Sequence, residues 1–146
     1  MQTLASLSLA PGHDTVTQAL AWLESIAERE RWPTRLAFKL SLCLDEALSN
    51  IVMHGFPSTR DGSPRPHISL SVLQADGSIA IDIADNGIPF DPTQRASPEL
   101  SATLDDARIG GHGLRLMRHY LQNIEYRRDT DWNRLRLTAT PDTDGE

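Results

Sequence analysis

Glu46, Asn50 and His54 follow one another at four-residue spacing within Leu42–Phe56, LCLDEALSNIVMHGF. On a helix that spacing aligns the three side chains along one ridge. Asn50 offers a neutral oxygen suited to Mg²⁺, an ion that keeps most of its water and bridges phosphates. Glu46, one turn earlier, is able to accept a proton from an attacking hydroxyl or water. His54 closes the run, where the helix dipole favours a histidine. The competing reading is a solvated helix face with Glu46 paired to a nearby cation.

Two later stretches have the composition to complete such a site. Asp85-Asn86-Gly87 ends an alternating apolar row of Ile79, Ile81 and Ile83. Residues two apart in a strand share a face, so Asp85 shares the buried one. A carboxylate there costs free energy unless it meets a donor. Either the stretch is only a turn, with Asp85 bonding nearby amides, or Asp85 receives an exocyclic amine such as that of adenine. Gly110-Gly111-His112-Gly113-Leu114 precedes an apolar helical pattern. Glycines opening a helix expose unpaired amides at its positive end, where a phosphate binds, although hinges and turns look the same. Arg108 and Arg115 flank it. There is no Cys/His spacing for zinc and no G-x-x-x-x-G-K-[ST] loop.

The elements that must hold these residues are legible in the periodicity. Leu4–Ala10 alternates in part and predicts an edge strand, ended by Pro11-Gly12. Asp14 caps a helix to about Arg31 whose stripe includes Val16, Leu20, Leu23 and Ile26. A second helix spans about Thr34 to Met53, with Thr34 as its cap and Leu40, Leu44, Ala47, Leu48 and Ile51 facing the core. At about 100° per residue, Glu46, Asn50 and His54 fall on the border of that stripe, where a side chain enters a cleft between helix and sheet. Gly55 suits a left-handed cap.

Pro57–Pro66 is a polar, turn-forming loop. Ile68, Leu70 and Val72, then Ile79, Ile81 and Ile83, predict a hairpin about Asp76-Gly77. Pro89 to Gly113 is a long connection, of a length that is usually functional or mobile. A last helix starts near Gly113 with Leu114, Met117, Leu121 and Ile124 on its apolar face. Ile124–Arg128 and Arg134–Thr140 follow as strands joined through residues 129–133, and the tail frays. This order predicts an α+β fold, a two-layer α/β sandwich whose mostly antiparallel sheet is covered on one face by about three helices.

The chain has 146 residues, 39% apolar and 23% charged, as expected of one globular domain over 1–146. Its net charge of −6 argues against direct nucleic-acid or anionic-membrane binding. No window approaches the ~18–20 apolar residues of a membrane span, and the N-terminus lacks the pattern of a signal peptide. The single cysteine, Cys43, is read as a core residue and fits a cytoplasmic location.

Glu-x-x-x-Asn-x-x-x-His-Gly, then Asp-x-Gly after a strand, then Gly-x-Gly-Leu opening a helix, resembles the GHKL ATPase and kinase superfamily of gyrase, Hsp90, histidine kinase and MutL type. The resemblance covers roughly residues 35–140. Small size, without a phosphoacceptor hairpin or sensor, makes the chain similar to the bacterial anti-sigma factors of the serine/threonine kinase branch. The Asp85–Pro92 phrase and the Asp45-Glu46-Ala47 run are also similar to that branch. Gly87-Ile88-Pro89 lacks the second glycine of many histidine kinases, which weakens that reading.

The resemblance implies ATP and Mg²⁺ as cofactors. Asn50 would hold the metal on the phosphates, and Glu46 would be the general base. Asp85 would bind the adenine amine, with Gly87 giving room for the base. Gly111, Gly113 and the Leu114 amide would cradle phosphate, helped by Arg108, under an ATP lid at about 93–110. The implied partner is a STAS-domain anti-anti-sigma factor, phosphorylated on serine or threonine. In its unphosphorylated form it releases a sigma factor held by the kinase. This branch commonly forms homodimers. The alternative is a non-catalytic ATP-binding module that sequesters a sigma factor or another regulator.

Overall fold

In the computed structural model, residues 1–56, 64–92 and 112–141 are described. Strand β1 (Gln2–Leu9) leads through Pro11-Gly12 into helix α1 (Thr15–Glu30), and α2 (Thr34–His54) follows. Strands β2 (Ile68–Ala75) and β3 (Ser78–Asp85) come next, then helix α3 (His112–Tyr120) and strands β4 (Asn123–Asp129) and β5 (Trp132–Ala139). The sheet order is β1-β2-β3-β5-β4, and every pairing is antiparallel. β1 lies at one edge and β4 at the other. The expected α+β sandwich is therefore the observed one.

Period-2 alternation builds the inner sheet face. Ile68, Leu70, Val72, Ile79, Ile81, Ile83, Leu135, Leu137 and Ala139 are all buried. They form one core with Leu36, Leu40, Leu44, Leu48 and Ile51 of α2 and Ala19, Leu23 and Ile26 of α1. Burial of each large side chain stabilises the fold by roughly 1.5–3 kcal/mol before entropy is counted. Gly77 takes φ +70° in the β2–β3 turn, a conformation that favours glycine.

Several boundaries differ from the sequence reading. β1 starts at Gln2, ends at Leu9 and carries a bulge between Thr3 and Ala5. Asp14 occupies the N-cap position of α1 without a capping bond; its carboxylate instead accepts from Gln18 Nε2 at 2.9 Å. The buried Thr15 hydroxyl donates to the Ala10 carbonyl at 2.8 Å and ties the strand to the helix. Pro33, not Thr34, is the N-cap of α2.

α3 stops at Tyr120, so Leu121 and Ile124 lie beyond it. There the Gln122 amide turns to the Thr138 carbonyl at 2.8 Å, starting β4 beside β5. The segment expected to join those strands shrinks to Thr130-Asp131, because Trp132 and Asn133 pair with Asp129 and Arg128. Most of the 57–66 loop, the 93–110 stretch and the tail beyond 141 lie outside the described residues.

Candidate functional site

The ridge of α2, the end of β3 and the start of β5 meet at one recess. Asn50 and Asp85 both line it, with Ala47 and Ile51 from α2, Tyr126 from β4, Asn133 and Leu135 from β5, and Phe90 and Pro92. Its volume is about 10 Å³, room for about one water. The His54 ring lies against Phe90, with centroids 6.3 Å apart. A larger concavity of about 450 Å³ involves Asp82, Arg134 and Arg136. Three of its arginines are paired: Arg136 grips Asp82 at 2.6 and 2.8 Å, Arg134 holds Asp129 at 2.8 Å and Arg127 reaches Asp129 at 3.4 Å.

Asp85 is 3% exposed. Its Oδ1 accepts from the Gly87 amide at 3.0 Å and from Asn133 Nδ2 at 2.9 Å. The local turn reading is thus correct for Oδ1, the Asx-turn geometry. Oδ2 makes no hydrogen bond among the described residues and is not sealed from solvent. Burial pushes the carboxyl above its ordinary range, opposed by the Asn133 amide, the Gly87 N–H and the charge of Arg128. Asn50 is half-buried, and its side chain likewise makes no hydrogen bond among the described residues. An acceptor and a neutral amide, both unspent, therefore share one recess.

Asn133 carries no site signal in the sequence because it stands in a polar stretch, residues 129–133, that reads as a strand connection. The available signal was alternation: counted back from Ala139, Leu137 and Leu135, position 133 falls on the inner face. It is 4% exposed and directly opposite Asp85 in the sheet.

Glycine at 55 and at 87 answers two successive close approaches. Gly55 sits at φ −76°, ψ −22°, so it is not the left-handed cap expected. A Cβ there would meet the Ile51 carbonyl oxygen at 2.7 Å. A Cβ at Gly87 would overlap the Gly55 carbonyl oxygen, which accepts from the Ile88 amide at 2.9 Å. Gly87 thus lets the Asp85 turn seat on the end of α2, and Arg128 Nη1 fastens it by donating to the Gly87 carbonyl at 2.9 Å. Gly87→Ala should destabilise the protein by about 1–3 kcal/mol through overpacking, a fall in melting temperature of roughly 2–4 °C per kcal/mol. An unchanged melting curve would refute the tight seat.

Glu46 is half-buried on α2 and does not line the recess. Its charge, after burial, helps push the Cys43 thiol up to about 12, so Cys43 is an unreactive core residue as read. Gly113 and Leu114 belong to the first turn of α3, which packs on α2. Arg108 and Gly111 lie outside the described residues. No group of three or more His, Cys, Asp or Glu able to hold a metal occurs among the described residues. No described helix is long and apolar enough to cross a membrane.

Residues 9–139 match the model of the histidine kinase-like ATPase domain. The chain is 50% identical over 134 residues to the serine/threonine-protein kinase BtrW of Bordetella bronchiseptica, covering 92% of both chains. It is 26% identical to the serine-protein kinase RsbW of Listeria monocytogenes, over 86% of this chain and 80% of that one. It is also 30% identical to the anti-sigma F factor of Priestia megaterium, over 59% and 56%.

Among solved structures, the RsbU and RsbW domains of a Mycobacterium tuberculosis protein align with TM-score 0.65 at 13% identity, over 93% of this chain and 31% of that one. The SiaB–SiaC complex from Pseudomonas aeruginosa gives 0.59 at 12% identity, over 96% and 91%. Those two likenesses show the shared fold, and the sequence matches show the rest. The chain belongs to the histidine kinase-like ATPase domain family, on the branch of the serine/threonine-protein kinases.

Proposed function

We propose that the protein is an ATP- and Mg²⁺-dependent serine/threonine kinase, acting as an anti-sigma partner-switching regulator that phosphorylates a STAS-type anti-anti-sigma factor. The observation that carries this reading is the pair of unspent polar groups in one recess, Asp85 Oδ2 and the Asn50 amide. A carboxylate oxygen that is acceptor-only matches a purine amino group, which is donor-only. One neutral oxygen ligand suits Mg²⁺, which takes few protein ligands when phosphates supply the others. Both donor sets therefore fit the nucleotide and its metal.

Bound Mg-ATP supplies the transferable phosphoryl group and much of the charge neutralisation. The chain's own residues orient and shield. Asp85 fixes the base end, Asn50 the metal end, and the first turn of α3, with Gly113 and Leu114, offers amides to phosphate. Gly111 and Arg108 join that end in this reading. Glu46 accepts the proton of the attacking hydroxyl. In the same reading the unphosphorylated partner frees a sigma factor from a cytoplasmic kinase homodimer.

Glu46→Gln tests the division of labour. ATP affinity should stay within about threefold, while transfer to the partner falls by about 10²–10⁴-fold, the usual worth of a general base. Calorimetry with Mg-ATP and a phosphorylation assay read the two separately. A fully active variant removes Glu46 from the mechanism.

A further inference from the structure

The Asn133 side chain bonds the Asp85 turn at both ends, at Asp85 itself and at Ile88 and Phe90 beyond it. Nδ2 donates to Asp85 Oδ1 at 2.9 Å and to the Ile88 carbonyl at 2.8 Å. Oδ1 accepts from the Phe90 amide at 3.3 Å and from the Tyr126 hydroxyl. Both donors and both acceptor positions of the amide are used. The orientation has no alternative. A flipped amide would set NH₂ against the Phe90 N–H and its oxygen against the Ile88 carbonyl, both repulsive.

We infer that Asn133 is a positioning residue that sets base selectivity: by occupying Asp85 Oδ1 it leaves Oδ2 as a single acceptor in the recess, which selects a 6-amino purine over a 6-oxo purine. The inference rests on the ATP-binding reading of this recess. With two donors on Oδ1, the carboxylate plane cannot turn without breaking a bond to the Gly87 amide or to Asn133. Oδ2 is held in one place, and it presents lone pairs only. A 6-amino group donates to it. A 6-oxo group brings acceptor against acceptor and leaves both unpaired in a desolvated recess, the arrangement that discriminates most strongly between polar ligands.

The test is calorimetric titration of the full chain with Mg-ADP and Mg-GDP, for wild type, Asn133→Leu and Asn133→Asp. Wild type should prefer ADP by 100-fold or more. In Asn133→Leu the carboxylate keeps only the Gly87 amide and can turn about it, and the ADP:GDP ratio should fall at least tenfold. Asn133→Asp keeps the size of the side chain but sets two carboxyls together, which then share a proton. That pair carries a donor, so its ratio should also fall at least tenfold. If Asn133→Leu does not fold, Asn133→Asp decides alone.

A purely structural Asn133 would weaken both nucleotides equally and leave the ratio unchanged, which overturns the inference while ATP binding stands. Equal wild-type affinity for ADP and GDP also overturns it alone. A wild type that binds neither nucleotide overturns the ATP reading and the inference together.

Discussion

Asn50→Ala should abolish Mg-dependent ATP binding, with at least a 100-fold loss of affinity, and leave the fold intact. The two halves of that expectation have separate causes. The Asn50 amide makes no hydrogen bond among the described residues, so truncation strands no buried partner, the usual reason for a large destabilisation. Alanine is also the better helix former at an α2 position, by a few tenths of a kcal/mol. The melting temperature should therefore hold or rise slightly. Affinity should fall because the variant lacks the side-chain oxygen that, in the proposed reading, would hold the metal of Mg-ATP. Calorimetry with Mg-ATP beside a thermal melt reads both. Wild-type affinity in the variant would remove Asn50 from the site.

Asp85→Asn should also lose ATP by at least 100-fold, while raising thermal stability at neutral pH. Asparagine retains an oxygen to accept from Gly87 and Asn133, so the turn survives. Its NH₂ then replaces the open carboxylate oxygen and meets the base amine donor to donor. The gain in stability follows from the carboxyl being pushed upward by burial. Its folded pKa lies above its unfolded value of about 3.9. Between those two values the folded state holds more protons, so stability falls as pH rises through that window and stays lower above it.

The variant has no such group, so its advantage should be present at pH 7 and vanish below about pH 3.9. On the binding side, wild-type affinity should start to fall on acidification at a pH above the ordinary carboxylate range. Equal melting temperatures at pH 7, or ATP binding retained by the variant, would contradict this account.

How much of this was legible depended on whether the cause was local. Asp85 could be read because alternation through Ile79, Ile81 and Ile83 is a short-range pattern, and the ridge because α2 is long and strongly amphipathic. Both Asn50 and Asp85, which line one recess, are therefore legible from local pattern. Asn133 obeys the same alternation, but Thr130-Asp131 is a weak turn signal, and the strand start was placed two residues late.

The close approach of Gly55 and Gly87 could not be read from sequence. Each is a plausible turn glycine on its own, and their contact spans more than thirty residues of chain. The contact seen at Gly87 is with the Gly55 carbonyl, a constraint additional to the room for a base that the family resemblance implies. Asp14 and Thr34 have capping residue types, yet Asp14 holds the N-cap of α1 without a capping bond and Pro33 holds that of α2, while the Thr15 hydroxyl ties α1 to β1.

The central claim is that the recess holds Mg-ATP for transfer to a protein hydroxyl. Its most direct measurement is incubation of the protein with γ-labelled ATP, Mg²⁺ and a STAS-domain partner, followed by mapping of the label. The account predicts label on a serine or threonine of the partner with wild type, and none with Asn50→Ala. A partner that binds without acquiring label, or one labelled equally by the Asn50→Ala protein, would contradict it.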